Sequence, residues 1–249
     1  MGLFDFFSSS PDKKVEKAKQ VMLNEHHQHQ VRQQSIYDLG QFDNDLAAHA
    51  LIERLGVNFR DTIKNEQERG WVRHLLVEQF QERAIEPLRE FIRETHNNSR
   101  SVSGALQVLR ELISDEDLTA FLIEILSQHQ PTDHRTVELR LQLIDALEEQ
   151  AGEIVSAHLP YTIDHSDDIR IKVINLIEER LRGVEGEHRD IISALLQAMT
   201  DPFASGRTAR AAASAIMRMG ASLESFEDDF DADLLPEGYQ VKQGYLQEI

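Results

Sequence analysis

Apolar residues recur at three- and four-residue spacing from Ser10 onward, and an alternating strand pattern is almost absent. This period is typical of amphipathic α-helices. Ser10 followed by Pro11 predicts the start of the first helix, because serine caps helices and proline fits their first position. The pattern therefore predicts an all-α fold of short helices. Glycines mark the expected helix ends, at Gly40, Gly56, Gly183 and Gly220.

Polar residues mark further helix starts. Asn65, with Glu68 three residues later, matches a capping box ahead of an apolar run. We interpret Trp71 in that run as a core residue rather than part of a ligand site. Similar starting positions are held by Ser99, Ser166 and Ser205.

The second half of the chain contains a repeat. It is aligned on four arginines spaced 35, 35 and 37 residues apart, namely Arg100, Arg135, Arg170 and Arg207. Six residues after these stand Leu106, Leu141, Leu176 and Ala213, and twelve residues before them stand Leu88, Ile123, His158 and Leu195. The unit is a helix A, a polar turn and a helix B. Less regular copies lie within residues 31–56 and 43–80.

Such a unit cannot bury its apolar stripe alone, so neighbouring units must stack. We predict a right-handed α-solenoid over residues 11–221, with an apolar segment before it (1–10) and an acidic tail after it (222–249). Acidic residues six positions before the arginines predict a structural ladder between repeats. Its members are Glu94, Arg100, Asp164 and Asp201, with the other aligned arginines.

The segments "AIEPLREFIRE" and "DDIRIKVINLIEE" resemble the A and B helices of the HEAT-repeat superfamily. The stretches "MGLFDFF", "NEQERGWV" and "LPEGY" resemble, more closely, a family of small uncharacterised bacterial HEAT-repeat proteins. The resemblance covers nearly the whole chain. It implies an armadillo-like superhelix of about five or six helix pairs and says little about function.

Composition narrows the functional classes. The chain has 44 acidic and 26 basic residues and a formal charge of −18, which disfavours nucleic-acid binding. It has no cysteine, which excludes disulfides and thiolate metal sites. No P-loop, nucleophile elbow or HExxH motif occurs. We expect a cytoplasmic protein with no membrane span or signal peptide, no enzymatic activity and no cofactor.

The B helices line the concave side of HEAT-type stacks, which suggests a binding surface. The four B segments contain eleven basic and ten acidic residues, and the last one has no carboxylate. We therefore expect a non-catalytic scaffold or adaptor that binds an extended or acidic protein there. The candidate partner-binding residues are Arg135, Arg170, Lys172, Arg207 and Arg210.

In the last B helix, Ala211, Ala212, Ala213 and Ala215 predict close helix packing.

Two other functions stay open at this stage. The chain is similar in architecture to HEAT-like lyase and chaperone subunits, which implies an accessory role that presents a client. Nucleic-acid binding would require a contiguous basic groove.

The apolar cluster at residues 3–7 either caps the first repeat or docks to a partner or membrane surface.

Histidines raise the question of metal. His26 and His29 stand one helical turn apart, but two imidazoles make a weak chelate, so we expect no metal site. HEAT-like deoxyhypusine hydroxylase binds its metals through His-Glu dipeptides, and none occurs here. His158, on a core position, is predicted to be a buried, hydrogen-bonded histidine.

The tail has two interpretations. The segment "ESFEDDFDAD" (224–233) either folds back on the arginine-bearing end of the solenoid or forms an extended acidic connector. The alternating "YQVKQGYLQ" (239–247) predicts a hairpin that covers the last repeat.

Overall fold

The computed structural model describes residues 10–42, 44–96, 100–150, 154–184, 188–226 and 230–249. It divides into two compact units, Met1–Leu118 and Thr119–Ile249. The described residues are mainly helical, with twelve α-helices and one short hairpin, which confirms the predicted all-α class. Ser99 and the apolar cluster at residues 3–7 lie outside the described residues.

The described part of unit 1 contains six complete helices. They are α1 (Pro11–Met22), α2 (His29–Gly40), α3 (Asp45–Leu55), α4 (Thr62–Leu75), α5 (Glu82–Arg93) and α6 (Ser103–Leu112). A π-helical turn, Leu76–Phe80, extends α4. The helix α7 (Asp115–Ser127) contains the boundary between the two units.

Local capping sets where these helices start. The Ser10 hydroxyl accepts a hydrogen bond from Lys13 N, as the Ser-Pro pair predicts. The predicted capping box at Asn65 is wrong, because α4 starts one turn earlier and Asp61 accepts the bond from Lys64 N. Asn65 and Glu68 instead point their side chains into the protein, where both bind Arg54.

Alternate helices pack together in unit 1. Helix α1 contacts α3 and α3 contacts α5, while α2 contacts α4 and α4 contacts α6. Aliphatic side chains from all these helices fill the core, as expected when the apolar face of each amphipathic helix points inward. The fully buried ones include Leu39, Leu51, Leu76, Leu88, Ile92 and Leu109.

Unit 2 holds the remaining elements. Besides four short 3₁₀ turns, they are α8 (Val137–Glu148), α9 (Val155–His158), α10 (Asp167–Leu181), α11 (Arg189–Thr200), α12 (Gly206–Met219), β1 (Tyr239–Lys242) and β2 (Tyr245–Glu248). The 3₁₀ turns are His134–Thr136 before α8 and Leu159–Ile163 after α9. Further 3₁₀ turns, Glu224–Phe226 and Ala232–Leu234, lie between α12 and β1.

The same alternation occurs in unit 2, where α8 contacts α10 and α10 contacts α12. Helix α12 also packs on α11, and three of its alanines, Ala212, Ala213 and Ala215, are fully buried. Small side chains let helix axes approach closely, which confirms the predicted packing role of this stretch. Gly220 ends α12 in the left-handed conformation, with φ of 64°.

The repeat alignment misses the most buried positions of α7 and α8. Ile123 and Leu141 are only partly buried, whereas Leu122 and Arg140 are fully buried. The other aligned positions, including His158 and Leu195, lie in the core as predicted.

The predicted hairpin at the C-terminal end is confirmed. Strands β1 and β2 pair antiparallel, with Lys242 opposite Tyr245. The two turn residues, Gln243 and Gly244, both have positive φ, as a type I′ turn requires. Strand β2 packs on α12 and its Leu246 is buried, so the hairpin covers part of the last helix.

Candidate functional site

A buried charge cluster in unit 1 is centred on Glu68. Its carboxylate accepts hydrogen bonds from Arg32 Nε at 2.9 Å, Arg54 Nη2 at 2.8 Å and His29 Nδ1 at 2.9 Å. The side chains of Glu68 and Arg54 are fully buried. Burial opposes ionisation of Glu68, but the hydrogen bonds from the arginines and His29 outweigh it and hold its pKa below the usual value.

The two arginines of this cluster also contact Phe59. The guanidinium carbons of Arg32 and Arg54 lie 4.8 and 4.1 Å from the centroid of its ring. Arg54 Nη1 donates to Val57 O at 2.9 Å, and Arg32 Nη1 donates to Glu25 O at 3.1 Å. The charged groups are thus bound to one another and to the backbone, which supports a structural role for the cluster.

The two histidines considered as metal ligands do not act together. His29 binds Glu68, and its ring centroid lies 5.4 Å from that of the partly buried Trp71. His26 is exposed to solvent. Within the part of the chain that the structure describes, no three His, Asp or Glu side chains form a group suited to hold a metal ion.

A second buried ion pair, in unit 2, joins Arg140 to Asp164. Arg140 Nε and Nη2 donate to the two carboxylate oxygens at 2.7 and 2.9 Å, and both side chains are fully buried. Arg140 Nη1 also donates to Asp133 O and to Thr136 Oγ1, each at 2.7 Å. This bidentate pair connects the first turn of α8 to the turn before α10.

The predicted ladder has a rung of the expected type at Arg170. Its Nη1 donates to Asp201 at 2.7 Å, which joins the start of α10 to the turn before α12. Asp164 binds Arg140 rather than the aligned Arg135, because Arg140 is the fourth residue of α8, as Arg170 is the fourth residue of α10. In unit 1, Glu94 and Arg100 are exposed, and the Arg100 guanidinium lies 6.0 Å from the Phe91 ring centroid.

Three of the five predicted partner-binding cations are engaged within unit 2. Arg170 is only 5% exposed. Lys172 Nζ lies 2.8 Å from Asp145 and 2.6 Å from Glu148, two carboxylates on α8. Arg135 is exposed, but its guanidinium binds Asp133 in its own turn.

Ion pairs also cross-link successive B helices, which the sequence reasoning missed. Lys172 on α10 binds α8 as described, and Arg218 on α12 binds Glu178 on α10 at 3.0 Å. In unit 1, Arg73 on α4 binds Glu111 on α6 at 2.5 Å. The cations of these pairs are partly or largely exposed, so each pair contributes little stability and mainly helps to align the helices.

Arg207 and Arg210 differ from these cations. Both are exposed on the first turns of α12, a helix that has no carboxylate. Among the described residues, no carboxylate lies within ion-pair distance of either one. The N-terminal half of α12 thus presents two available guanidinium groups. Arg218 lies on the same side of the helix but is held by Glu178.

The described part of the tail packs on unit 2. Leu223 and Phe226 are buried, and the Arg189 guanidinium carbon lies 5.2 Å from the Phe226 ring centroid. These contacts agree with the docked interpretation of the tail. Residues 227–229 lie outside the described residues, so contact of their carboxylates with Arg207 or Arg210 stays a prediction.

His158 is fully buried, and its Nδ1 donates to Ile154 O at 2.7 Å, as predicted. Its Nε2 is buried and finds no hydrogen-bond partner among the described residues. Burial of the ring lowers the pKa of His158 below 6.5, against small opposing effects of the Ile154 hydrogen bond and of Glu148. The folded protein therefore favours the neutral imidazole.

This burial predicts an acid sensitivity of unit 2. Between the lowered folded pKa and the unfolded value of about 6.5, the unfolded chain binds a proton that the folded one does not. The stability that neutral His158 contributes is complete above that unfolded value and falls as the pH drops below it. We expect urea midpoints to fall more steeply from pH 7.5 to 5.5 in the wild type than in His158→Leu. That variant loses one hydrogen bond, about 1 kcal/mol at neutral pH, and equal pH slopes would contradict the prediction.

Comparison of the chain with protein-family models, with curated proteins and with solved structures gives no match. Within the described residues, no helix has both the length and the apolar character that crossing a bilayer requires.

Proposed function

We propose that this protein is a non-catalytic scaffold, a right-handed α-solenoid of stacked HEAT-like helix pairs that binds an acidic segment of another protein. The contacts between alternate helices within each unit support the stacking, because stacked pairs bury a continuous core in this way. The spacing of the aligned arginines, 35 to 37 residues, supports the same arrangement.

The availability of Arg207 and Arg210 carries the binding proposal. The repeat alignment pairs Arg207, the second residue of α12, with Arg170, the fourth residue of α10. Arg170 has a partner, Asp201, in the turn between α11 and α12. After α12 the described chain continues into two 3₁₀ turns and the hairpin rather than into another helix pair, so the described residues contain no further inter-helix turn with an acid for Arg207.

An acidic partner fits this surface. Guanidinium groups bind carboxylates in a planar, bidentate geometry, and α12 has no acidic residue to compete. The chain as a whole carries a formal charge of −18, so attraction must be local and is expected to weaken as salt increases.

The test is affinity capture from native cytoplasm with three baits. They are the wild type, the double variant Arg207→Glu/Arg210→Glu, and the control Lys13→Glu/Lys17→Glu, which makes the same change in net charge on the exposed face of α1. Glutamate is acceptable at the start of a helix, so the first variant should stay folded, which circular dichroism checks.

We expect at least one acidic protein to be captured by the wild type and the control, and to fall about tenfold with the α12 variant. A tenfold change corresponds to about 1.4 kcal/mol, which is reasonable for reversal of two exposed charges at an interface. Identical capture by all three baits would contradict the proposal.

A further inference from the structure

Three turns of unit 2 lie side by side and form one surface, here called the turn edge (131–136, 163–167 and 200–205). His165 N donates to Pro131 O at 2.9 Å, and the rings of His134 and His165 are in contact, with centroids 3.8 Å apart. Ser205 N, in the third turn, donates to Asp167 Oδ1 in the second, and the Arg170–Asp201 ion pair joins the start of α10 to the third turn. The turn edge is thus a continuous part of unit 2.

A groove of about 430 Å³ lies along the turn edge. The buried Arg170–Asp201 pair contributes to its lining. The other residues that matter here are Thr132, Ile163, His165, Gln197, Pro202 and Phe203.

Phe203 is the most exposed large apolar residue among those described, at 88%. Its position is ordered, because Phe203 N donates to Asp201 Oδ1 at 2.9 Å and Ala204 N donates to Asp201 O at 3.0 Å. A phenylalanine held in water by an ordered turn contributes nothing to the core. A few buried residues, often aromatic residues or arginines, supply most of the binding energy of many protein interfaces.

The charges around the groove favour an acidic occupant. Arg207 lies four residues after Phe203, and neither Arg207 nor Arg210 is bound by a carboxylate of the described residues. The carboxylates of the turn edge are already engaged: Asp133 with Arg135, Asp164 with Arg140, Asp167 with Thr208, and Asp201 with Arg170. A carboxylate that approaches beside Phe203 therefore meets two guanidinium groups that no described carboxylate binds.

We infer that this groove binds the apolar anchor of the acidic segment, which is an aromatic or large aliphatic side chain adjacent to carboxylates. The inference rests on the proposed function. It adds that the acidic segment of the partner contains an apolar residue next to its acidic residues. The anchor packs against Phe203 and Ile163, while the neighbouring carboxylates bind Arg207 and Arg210. Burial of Phe203 against the anchor removes apolar surface from water, which supplies affinity that exposed ion pairs alone do not.

A random peptide library displayed on phage tests this without knowledge of the partner. Selection is made on the full-length wild type, and enriched peptides are then measured against Phe203→Ser, Arg207→Glu/Arg210→Glu and the control Ile63→Ser. Ile63 is a matched control because it is another exposed large apolar residue, at 72%, and lies in unit 1.

We expect enriched peptides to combine an aromatic or large aliphatic residue with two or more acidic residues. Their affinity should fall about tenfold with Phe203→Ser and with the arginine variant, and stay unchanged with Ile63→Ser. Acidic peptides that need Arg207 and Arg210 but tolerate Phe203→Ser would overturn the anchor site and leave the proposed function intact. A selection that gives no acidic peptides, or peptides that bind the arginine variant equally well, would overturn both.

Discussion

Replacement of Glu68 by glutamine is expected to lower the free energy of unfolding of unit 1 by about 3–5 kcal/mol, the cost of leaving buried charges without a partner. The wild-type carboxylate accepts hydrogen bonds from Arg32, Arg54 and His29. Glutamine has nearly the same shape, so the loss would come from charge and hydrogen bonding rather than from a cavity.

Tryptophan fluorescence during urea unfolding measures this effect. Trp71 is the single tryptophan of the chain and lies beside His29, so its signal reports on unit 1. Glu66→Gln is the control, because Glu66 lies on the same helix with a side chain that is 69% exposed. A loss below about 1 kcal/mol in Glu68→Gln, which is the range of exposed ion pairs, would contradict the claim that the buried cluster stabilises unit 1.

The same cluster predicts how unit 1 responds to acid. Because the folded pKa of Glu68 is held below its usual value of 4.5, its contribution to stability is present above that value. It is lost as the pH falls through the folded pKa. As the pH is lowered below 4.5, the urea midpoint of Glu68→Gln should therefore fall less than that of the wild type.

The second large effect is expected at Arg140. Arg140→Met leaves the fully buried Asp164 carboxylate without its bidentate partner, and we expect a loss of about 3–5 kcal/mol in unit 2. Arg135→Met is the matched control: Arg135 precedes the same helix, but its side chain is 80% exposed, so we expect a loss below about 1 kcal/mol.

A double variant separates the charge effect from general damage. In Arg140→Met/Asp164→Leu no buried charge is left alone, so most of the loss should be recovered. Hydrogen exchange in α8 and α10 locates the change in unit 2. Equal losses for Arg140→Met and Arg135→Met, or no recovery in the double variant, would contradict the account of this pair.

Much of the fold could be predicted because it depends on local pattern. Apolar spacing indicated the helices, Ser10-Pro11 marked the first helix start, and the alternation around Gly244 indicated the hairpin. The capping box at Asn65 failed because Asp61 and Asn65 both have the chemistry of a cap. Which one caps depends on Arg54, eleven residues earlier, whose buried guanidinium binds Asn65.

The buried arginines were missed because charge on a helix usually faces solvent. A signal for them exists in the sequence: Arg54 lies next to Leu55 and three residues after Leu51, and Arg140 lies next to Leu139, so both stand on apolar stripes.

At the candidate site, the exposure of Arg207 and Arg210 could be predicted from the sequence. The alanines of α12 form its buried face, and the helix has no acidic residue that could pair with the arginines. The pairing of Arg170 could not be read from its surroundings in sequence, because its partner Asp201 lies 31 residues away. Likewise Lys172 looked available until α8 placed Asp145 and Glu148 beside it. Phe203 was not singled out, because an apolar residue in a turn is common and only its exposure distinguishes it.

The most direct test of the account is the dissociation constant of a labelled synthetic peptide of glutamates around one phenylalanine, measured by fluorescence anisotropy at low and moderate salt. We predict saturable binding to the wild type and to Lys13→Glu/Lys17→Glu, weakened by salt, and about tenfold weaker binding to Arg207→Glu/Arg210→Glu. Equal affinity for the two charge-reversed variants, or no binding to the wild type, would contradict the claim that α12 binds acidic protein segments.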